Sequence, residues 1–296
     1  MGVLNLTPDS FSDGGRLSGV EAVLRQARRM LAQGAAVLDL GAQSTRPGAA
    51  MVGPEVELSR LLPALRALQP LRLEHPQLLI SVDTFEAAVA EAALAEGADW
   101  INDVRGANHT GGAPGGSLRD PAMLPLIARA GCPYVLMHSR GTSQSMDGLA
   151  VYGDVVAEVR AELQAATAAA LAAGVRPEQI IWDVGLGFAK TTEQNLELLN
   201  GVRGLTNPDQ PADTFAYPVL VGPSRKRFIG AVLNEPRPRA RLWGTASVCA
   251  LAVAAGARVL RVHDVGPIAQ VARMAAAIGE GDQPSLTPSM RSSISW

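Results

Sequence analysis

Eight short apolar segments alternate along the chain with longer segments in which apolar residues recur about every 3.6 positions. The short segments are residues 3–6, 36–40, 78–82, 99–101, 134–137, 180–182, 218–221 and 259–262. The longer segments, such as 20–32, 85–95, 155–173, 193–199 and 242–254, favour helices, and several end at a glycine: Gly34, Gly97, Gly174 and Gly256. Eight strand-plus-helix units predict a single α/β domain, a (β/α)8 TIM barrel over residues 1–280.

A barrel of this kind carries its functional side chains at the C-terminal ends of its strands. Each apolar segment of this chain ends at polar or ionisable residues, a pattern that solubility alone does not explain. These residues are Asn5, Asp39, Asp83, Asn102, Asp103, His138, Asp183, Ser224, Lys226 and His263. The sequence therefore predicts one active site at the C-terminal ends of the strands.

Composition argues against nucleic acid and membranes as partners of this chain. Lys and Arg number 26 against 28 Asp and Glu, so the bulk charge recruits neither nucleic acid nor an anionic membrane. The most apolar stretch is interrupted by Ser247 and Gly256 and falls short of the ~20 residues needed to cross a bilayer. Cys132 and Cys249 lie far apart in apolar surroundings, which indicates buried thiols and predicts a cytoplasmic protein.

The first strand leads into a loop dense in turn-forming residues. Taken alone, this stretch could equally be a frayed terminus followed by a surface loop. However, Asn5-Leu-Thr-Pro-Asp-Ser-Phe-Ser-Asp-Gly-Gly15 resembles the N-terminal signature of the dihydropteroate synthases, which join a dihydropterin diphosphate to p-aminobenzoate in folate biosynthesis. The resemblance implies the same reaction here, with diphosphate released, a Mg²⁺ cofactor held by Asn5, and a homodimer.

The loop after the second strand, residues 39–48, resembles the second signature of the same family. Its Arg46 offers a planar fork that suits phosphate or carboxylate, and the alternative is a solvated arginine beside a Pro-Gly turn. By the resemblance Arg46 is a catalytic residue, and Thr45 and Pro47 contact substrate, together with Phe11 of the first loop.

The resemblance assigns the pterin ring to side chains that end strands three to six. Asp83 and Asn102 would hold the ring, and Asp183 would accept hydrogen bonds from its 2-amino group and a ring N–H. Met137 and Phe188 would lie against the flat ring. Taken alone, Asp83 could equally cap the helix that begins near residue 85.

The loops after strands seven and eight commonly bind phosphate in such barrels. Three consecutive basic residues at 225–227 could begin a solvated helix, but like charges there are unfavourable without an anion. By the resemblance, Lys226 reaches the pterin, Arg225 flanks p-aminobenzoate, and Arg261 with His263 holds the diphosphate. The catalytic set implied is Arg46, Lys226, Arg261 and His263, and further substrate contacts are Gly222 and Ser224.

The chain departs from the family pattern at several positions. Ala42 and Gln43 replace a glycine and a glutamate, and we expect them to tune the second loop rather than remove its function. Val184 and Ala189 replace a proline and a glycine after strand six, where the missing glycines also argue against a P-loop ending at Lys190. We interpret His138 as a hydrogen-bonded residue at a strand end rather than as a catalyst.

Two other functions remain open from the sequence. A barrel that transfers a methyl group from a folate to a corrinoid would share the pterin residues but would not need Arg46, Arg261 and His263. A non-catalytic paralogue that binds only pterin would show damaged loops. The chain begins inside the first strand, and for this reason we expect either that Met1 is not the natural start or that the bottom of the barrel is open there. The tail 281–296, rich in Ser and Pro, is predicted to be disordered.

Overall fold

The alternation of the sequence becomes a closed parallel barrel. The computed structural model describes residues 1–6, 16–45, 48–109, 117–206 and 217–280. Within these ranges eight parallel strands pair in chain order. They are β1 Gly2–Asn5, β2 Val37–Gly41, β3 Leu79–Asp83, β4 Trp100–His109, β5 Tyr134–Arg140, β6 Ile180–Asp183, β7 Val219–Val221 and β8 Val259–Leu260.

Helices follow the strands and surround the ring. They are α1 Arg16–Ala32, α2 Pro54–Leu68, α3 Leu71–Glu74, α4 Ala87–Ala95, α5 Met123–Ala130, α6 Val155–Ala172, α7 Thr192–Thr206, α8 Arg227–Leu233, α9 Leu242–Ala254 and α10 Val265–Glu280. The glycines predicted to end helices have the left-handed backbone that such stops require, with φ of +94° at Gly34 and +92° at Gly174. In the described ranges, none of these helices is long and apolar enough to span a bilayer.

The first and last strands close the ring. The N–H of Val3 donates to the carbonyl of Val262 at 2.9 Å, and the N–H of Val262 donates to the carbonyl of Met1 at 3.0 Å. The predicted (β/α)8 barrel is therefore confirmed, and the opening considered at strand one is not found in the described chain. The single-domain boundary at residue 280 stays a prediction, because the tail 281–296 lies outside the described residues. Phe11, Arg46 and Pro47, which the sequence assigns to the site, also lie outside them.

β4 is the strand whose length differs most from its prediction. β4 runs for ten residues, whereas the apolar pattern predicted only 99–101. Its register with β5 shifts between Asp103 and Ala107, and pairing then resumes at Ala107 opposite His138. This bulge interrupts the period of two on which a strand prediction depends, so the second half of β4 has no sequence signal.

The barrel interior changes from apolar to polar along the strands. One buried cluster contains residues from β2, β4, β5, β6 and β7, with Leu79 and Val259 packed against it: Val37, Trp100, Val135, Ile181 and Leu220. Side chains two positions apart on a strand share a face. Counting two positions from each residue of this cluster and from Val259, or four from Leu79 in β3, gives the side chains that also face the interior. They are Asp39, Asp83, Asn102, Met137, Asp183, Gly222 and Arg261. This alternation places the polar layer at the C-terminal mouth of the barrel.

Candidate active site

An arginine and two aspartates from three strands form the centre of the polar layer. Arg261, which follows β8, donates from Nε to Asp39 Oδ2 and from Nη2 to Asp83 Oδ2, each at 2.6 Å. Asp39 also accepts a hydrogen bond from the hydroxyl of Ser81 at 2.6 Å. Asp39 lies within β2 and is fully buried. A buried carboxylate needs a partner of opposite charge, and Arg261 provides it. The arrangement fixes the guanidinium at the mouth of the barrel.

Asp83 does not cap the helix that follows it. The first turn of α4 is bound instead by Asp120, whose Oδ2 accepts from the N–H of Ala87 at 2.9 Å. Burial raises the pKa of Asp83 to about 7, and Asp39 adds to the rise while Arg261 opposes it. Asp83 is therefore a site residue with a carboxyl that titrates near neutral pH.

Asp183 and Asn102 place two further acceptors in the same layer. Asp183 Oδ1 accepts from the N–H of Gly185 at 2.8 Å, and burial raises the pKa of this carboxyl. Asn102 is 2% exposed, and none of the described residues donates a hydrogen bond to its Oδ1. A buried amide oxygen of this kind suits a bound molecule that presents N–H groups.

Lys226 reaches into the site from the loop after β7. Its ammonium donates to the carbonyl of Leu186 and lies 4.7 Å from the centre of the Phe188 ring. Burial lowers the pKa of Lys226 to about 8, against the favourable effect of Asp183. Phe188 packs in turn against a buried cluster that includes Met137. The site thus combines a cation and an apolar patch at the barrel mouth.

The basic residues at 225–227 point to three different partners. Arg225 makes a bidentate ion pair with Asp264, at 3.0 Å from Nε and 2.6 Å from Nη2. Arg227 pairs with Asp147 at the surface, where both side chains are 63% exposed. Only Lys226 of the three enters the polar layer, and the alternative of a solvated helix start describes Arg227 alone.

A fourth basic residue, Arg241, holds this loop in place and was missed by the sequence analysis. It is buried and donates to the carbonyls of Arg225 at 3.0 Å, Lys226 at 3.3 Å, Glu235 at 2.9 Å and Pro236 at 2.7 Å. Ser224 precedes these residues and its hydroxyl lies 2.9 Å from Nδ1 of His263. The described hydrogen bonds of Arg241 all go to backbone carbonyls, which every residue has. The sequence therefore contains no acidic partner or motif that would indicate its role.

A buried chain of polar residues behind the β6 loop was also missed. Lys190 Nζ donates to the carbonyls of Gly185 and Phe188, both at 3.0 Å, and lies 2.9 Å from Nδ1 of His138. The other ring nitrogen of His138 lies 2.9 Å from Glu162 Oε2. The interpretation of His138 as a hydrogen-bonded residue is consistent with these contacts. The sequence feature that could have drawn attention to Lys190 is its position at the end of the motif formed by residues 183–190.

The loop after β2 contributes only in part to the described site. Thr45 lines a small cavity of about 30 Å³ together with Phe85 and Phe188. Gln43 stabilises this loop, because its Oε1 accepts from the N–H of Val52 at 2.6 Å. Asn5 ends β1 opposite Gly41 and is partly exposed at the barrel mouth. Gly222 lies beside Asp183 and Arg261, since a Cβ added there would be 4.0 Å and 3.7 Å from them.

The arrangement can bind a flat polar heterocycle and an anion side by side. The acceptors Asp83, Asn102 and Asp183 suit N–H groups on a ring edge, and Phe188 offers an apolar surface for the ring face. Arg261 and Lys226 supply positive charge next to that position.

Comparisons with known proteins agree with this description. The pattern of the pterin binding enzyme family matches residues 1–263. A dihydropteroate synthase of Synechocystis sp. is 44% identical over 278 residues, which cover 94% of this chain and 89% of the relative. The solved dihydropteroate synthase of Xanthomonas albilineans with 4-aminobenzoic acid has a TM-score of 0.81 and 38% identity, covering 96% of this chain and 93% of that one. The Xanthomonas albilineans enzyme in complex with 7,8-dihydropteroate gives a TM-score of 0.77 and 36% identity, covering 96% and 94%.

Proposed function

The chain belongs to the dihydropteroate synthases of the pterin-binding enzyme family, and from this premise we propose how its residues divide the work of the reaction. The enzyme is a transferase of folate synthesis that condenses 6-hydroxymethyl-7,8-dihydropterin diphosphate with p-aminobenzoate to give 7,8-dihydropteroate and diphosphate. The proposal rests on one observation: Asp83, Asp183, Lys226 and Arg261 meet in a single polar layer of the barrel.

The polar layer recognises the pterin. Asp183 accepts from the 2-amino group and a ring N–H, while Asn102 Oδ1 and the Asp83 carboxyl take further donors of the ring. Phe188 and Met137 supply the apolar surface, and Lys226 donates to a ring acceptor. Because every polar group of the ring must be matched in a buried site, the acceptors also give specificity.

Departure of diphosphate is the difficult step. An aryl amine is neutral at pH 7 and already nucleophilic, so the reaction needs no strong general base. The amine nitrogen forms a bond to the pterin methylene carbon as the carbon–oxygen bond breaks, and the amine then loses a proton. Arg261 and His263, with Arg46, donate to the phosphate oxygens as negative charge develops on the leaving group.

The chemistry of the site also fits a Mg²⁺ ion held by Asn5. Among the residues with described positions, no three His, Cys, Asp or Glu side chains are grouped to hold a metal. Mg²⁺ commonly takes only one or two protein oxygens and completes its shell with water and substrate phosphate. The ion would neutralise charge on the leaving diphosphate. We therefore expect turnover to stop in excess chelator and to return with Mg²⁺.

In this proposal, p-aminobenzoate binds on the side of Phe188 that faces away from the pterin. Thr45 and Arg225 would line it, together with Phe11 and Pro47 from the first two loops. Closure of those loops would exclude water, which would otherwise hydrolyse the activated methylene.

A homodimer is proposed from an exposed apolar face on neighbouring helices. α9 packs against α8 and α10. Large apolar side chains of these helices are exposed to solvent: Val232, Leu233, Trp243, Leu251, Met274 and Ile278. A patch of this kind is more typical of an interface than of a monomer surface.

The oligomeric state tests the proposed homodimer. Light scattering should give twice the mass of the 30.9 kDa chain, and Trp243→Glu should give the monomer. Leu73→Glu, which changes an exposed leucine of α3, is the control and should remain dimeric.

A cytoplasmic location is proposed from the cysteines. Cys132 and Cys249 are both free thiols, and burial raises the pKa of Cys132 to about 11. Unpaired structural thiols are typical of a reducing compartment. Fractionation of the source cells should find the activity in the cytosol.

One assay tests the proposed reaction directly. The protein is incubated with 6-hydroxymethyl-7,8-dihydropterin diphosphate, p-aminobenzoate and Mg²⁺, and both diphosphate release and the mass of dihydropteroate are followed. Each substrate is omitted in turn as a control. Equal amounts of diphosphate and dihydropteroate support the proposal. Diphosphate released at the same rate without p-aminobenzoate, and no dihydropteroate, would contradict it.

A further inference from the structure

The β6 loop, residues 184–190, carries the groups that meet the pterin but contains little regular structure. It follows Asp183 at the end of β6, passes Phe188 and ends at Lys190. Gly185 has φ of +65°, and a Cβ added there would lie 1.8 Å from the carbonyl oxygen of His138. The backbone of the loop at Gly185 therefore packs directly against the backbone of β5 at His138. Because the loop contains little regular structure, side chains must keep it in this position.

Lys190 supplies the contacts that hold the loop. Burial lowers the pKa of Lys190 to about 7. In its protonated form the side chain has three N–H donors, and three acceptors lie within hydrogen-bond distance: the carbonyls of Gly185 and Phe188 at 3.0 Å and Nδ1 of His138 at 2.9 Å. Lys190 is buried, and none of its described bonds is to a carboxylate. The side chain thus joins the beginning and the end of its own loop to β5.

His138 and Glu162 fix the direction of this hydrogen bond. Burial lowers the pKa of His138 to about 3, so its ring is neutral at pH 7. Burial opposes ionisation of Glu162, but hydrogen bonds from His138 and Arg140 lower its pKa to about 2, so it is a carboxylate. An ionised Glu162 can only accept, and it therefore takes the N–H of His138 Nε2. The lone pair of Nδ1 is left to accept from Lys190.

From this geometry we propose that Lys190 is a positioning residue for the pterin, which clamps the β6 loop through the carbonyls of Gly185 and Phe188 while His138 and Glu162 hold its ammonium. The proposal rests on the proposed assignment of Asp183 and Phe188 to the pterin. Lys190 touches neither substrate in this account. It acts by keeping the Asp183 carboxylate and the Phe188 ring at the spacing that the pterin needs.

The first test compares Lys190→Met with a matched control. Methionine keeps the length of the side chain but removes all three donors. Gln179→Ala is the control, because the Gln179 amide also donates to two carbonyls, those of Ile127 and Cys132, but at the opposite end of β6. We expect Lys190→Met to raise KM for the dihydropterin diphosphate about tenfold or more, with kcat changed much less. Gln179→Ala should lower Tm and leave that KM within about twofold of the parent.

The second test uses His138, and it remains decisive if Lys190→Met does not fold. His138→Asn can keep an acceptor near the position of Nδ1, whereas His138→Leu removes it. We expect the leucine variant to raise KM for the pterin substrate several-fold and the asparagine variant to restore most of the loss. Either of two results would overturn the proposal. The first is the same KM for the dihydropterin diphosphate in Lys190→Met and Gln179→Ala. The second is the same KM in His138→Asn and His138→Leu.

The outcome for the parent protein separates this inference from the proposed function. If the parent makes no dihydropteroate, the proposed function fails, and the same variants are then compared by calorimetry with 6-hydroxymethylpterin as the probe. Weaker pterin binding by Lys190→Met than by Gln179→Ala would still support the clamp. Equal binding by the two would overturn it.

Discussion

Arg261 Nη2 donates to Asp83 Oδ2 at 2.6 Å, which joins the segment after β8 to the end of β3 across the mouth of the barrel. The two residues belong to different parts of the proposed substrate complex, since Asp83 faces the pterin and Arg261 the diphosphate. Their contact couples the two halves of the site. Bonds within the described chain use Nε and Nη2 of Arg261, so Nη1 remains a donor for a phosphate oxygen.

The pH dependence of activity should reflect Asp83 and Lys226. Burial raises the pKa of Asp83 to about 7 and lowers the pKa of Lys226 to about 8. Because the ionised forms of both are needed, kcat/KM for the pterin substrate should be bell-shaped, with an acid limb near 7 and an alkaline limb near 8. Asp83→Asn should lose the acid limb. Glu91→Gln, which alters an exposed ion pair with Arg129, should keep both limbs.

Asp83 should also make stability fall as pH rises toward neutral. Its folded pKa of about 7 is higher than the ordinary value of 3.8, so the folded state binds more protons between these values. The stabilisation is complete below the ordinary value and is lost as pH rises through 7. Denaturant titrations from pH 4 to pH 8 should show this fall in the parent and a flatter curve in Asp83→Asn. A curve of the same slope in both proteins would contradict the raised pKa.

Asp183→Asn should strongly reduce the use of the pterin substrate. The asparagine oxygen can still accept from the N–H of Gly185, but its amino group then faces ring donors. Losing a charge-assisted bond costs about 1.5–3 kcal/mol and an unpaired buried donor adds about 1–3. The sum, roughly 2.5–6 kcal/mol, corresponds to about two to four orders of magnitude in kcat/KM. The matched control is Asp147→Asn at the surface. A folded Asp183→Asn protein within a few-fold of the parent would refute the assignment.

Ala189→Gly should stabilise the protein. Ala189 has φ of +49°, a left-handed conformation that favours glycine. This conformation costs a non-glycine residue about 1–2 kcal/mol, and the extra freedom of glycine in the unfolded chain costs about 0.4–1, which leaves a net gain between about 0 and 1.6 kcal/mol. Ala173→Gly is the control, because Ala173 has a right-handed backbone at the end of α6 and should lose stability. Chemical denaturation measures both, and destabilisation by Ala189→Gly would show that no strain is present.

Arg241→Met should destabilise the loop that carries Lys226. The substitution removes the side-chain donor of three backbone carbonyls, those of Arg225, Glu235 and Pro236, while the carbonyl of Lys226 still accepts from the N–H of Gly230 at 3.5 Å. Each buried unpaired acceptor costs about 1–3 kcal/mol, and with some access of water the total should be about 2–4 kcal/mol. Arg237→Met removes an exposed ion pair with Glu235 and should leave Tm unchanged. If both variants unfold at the parent temperature, Arg241 does not anchor the loop.

The positions of the residues proposed to bind the pterin were predictable because they follow a local rule. Asn102 and Asp183 each end an apolar segment, and the period of two along a strand turns both toward the barrel interior. The alternative for Asp83, a helix cap, could not be dismissed in this way, because capping and ion pairing both suit an aspartate at the end of a strand. Asp120, 33 residues beyond Ala87, binds the first turn of α4 instead.

By itself, the sequence determined the barrel and the strand ends, since hydrophobic periodicity and turn residues act over a few positions. The tertiary structure decided which of those residues meet. Arg261 contacts Asp83 across 178 positions and Asp39 across 222, and these contacts exist only because the ring closes. The same holds for Lys190, His138 and Glu162, whose separate sequence contexts carry no sign of one another. Their hydrogen bonds depend on the packing of β5, α6 and the β6 loop, a long-range arrangement that local patterns of residues do not encode.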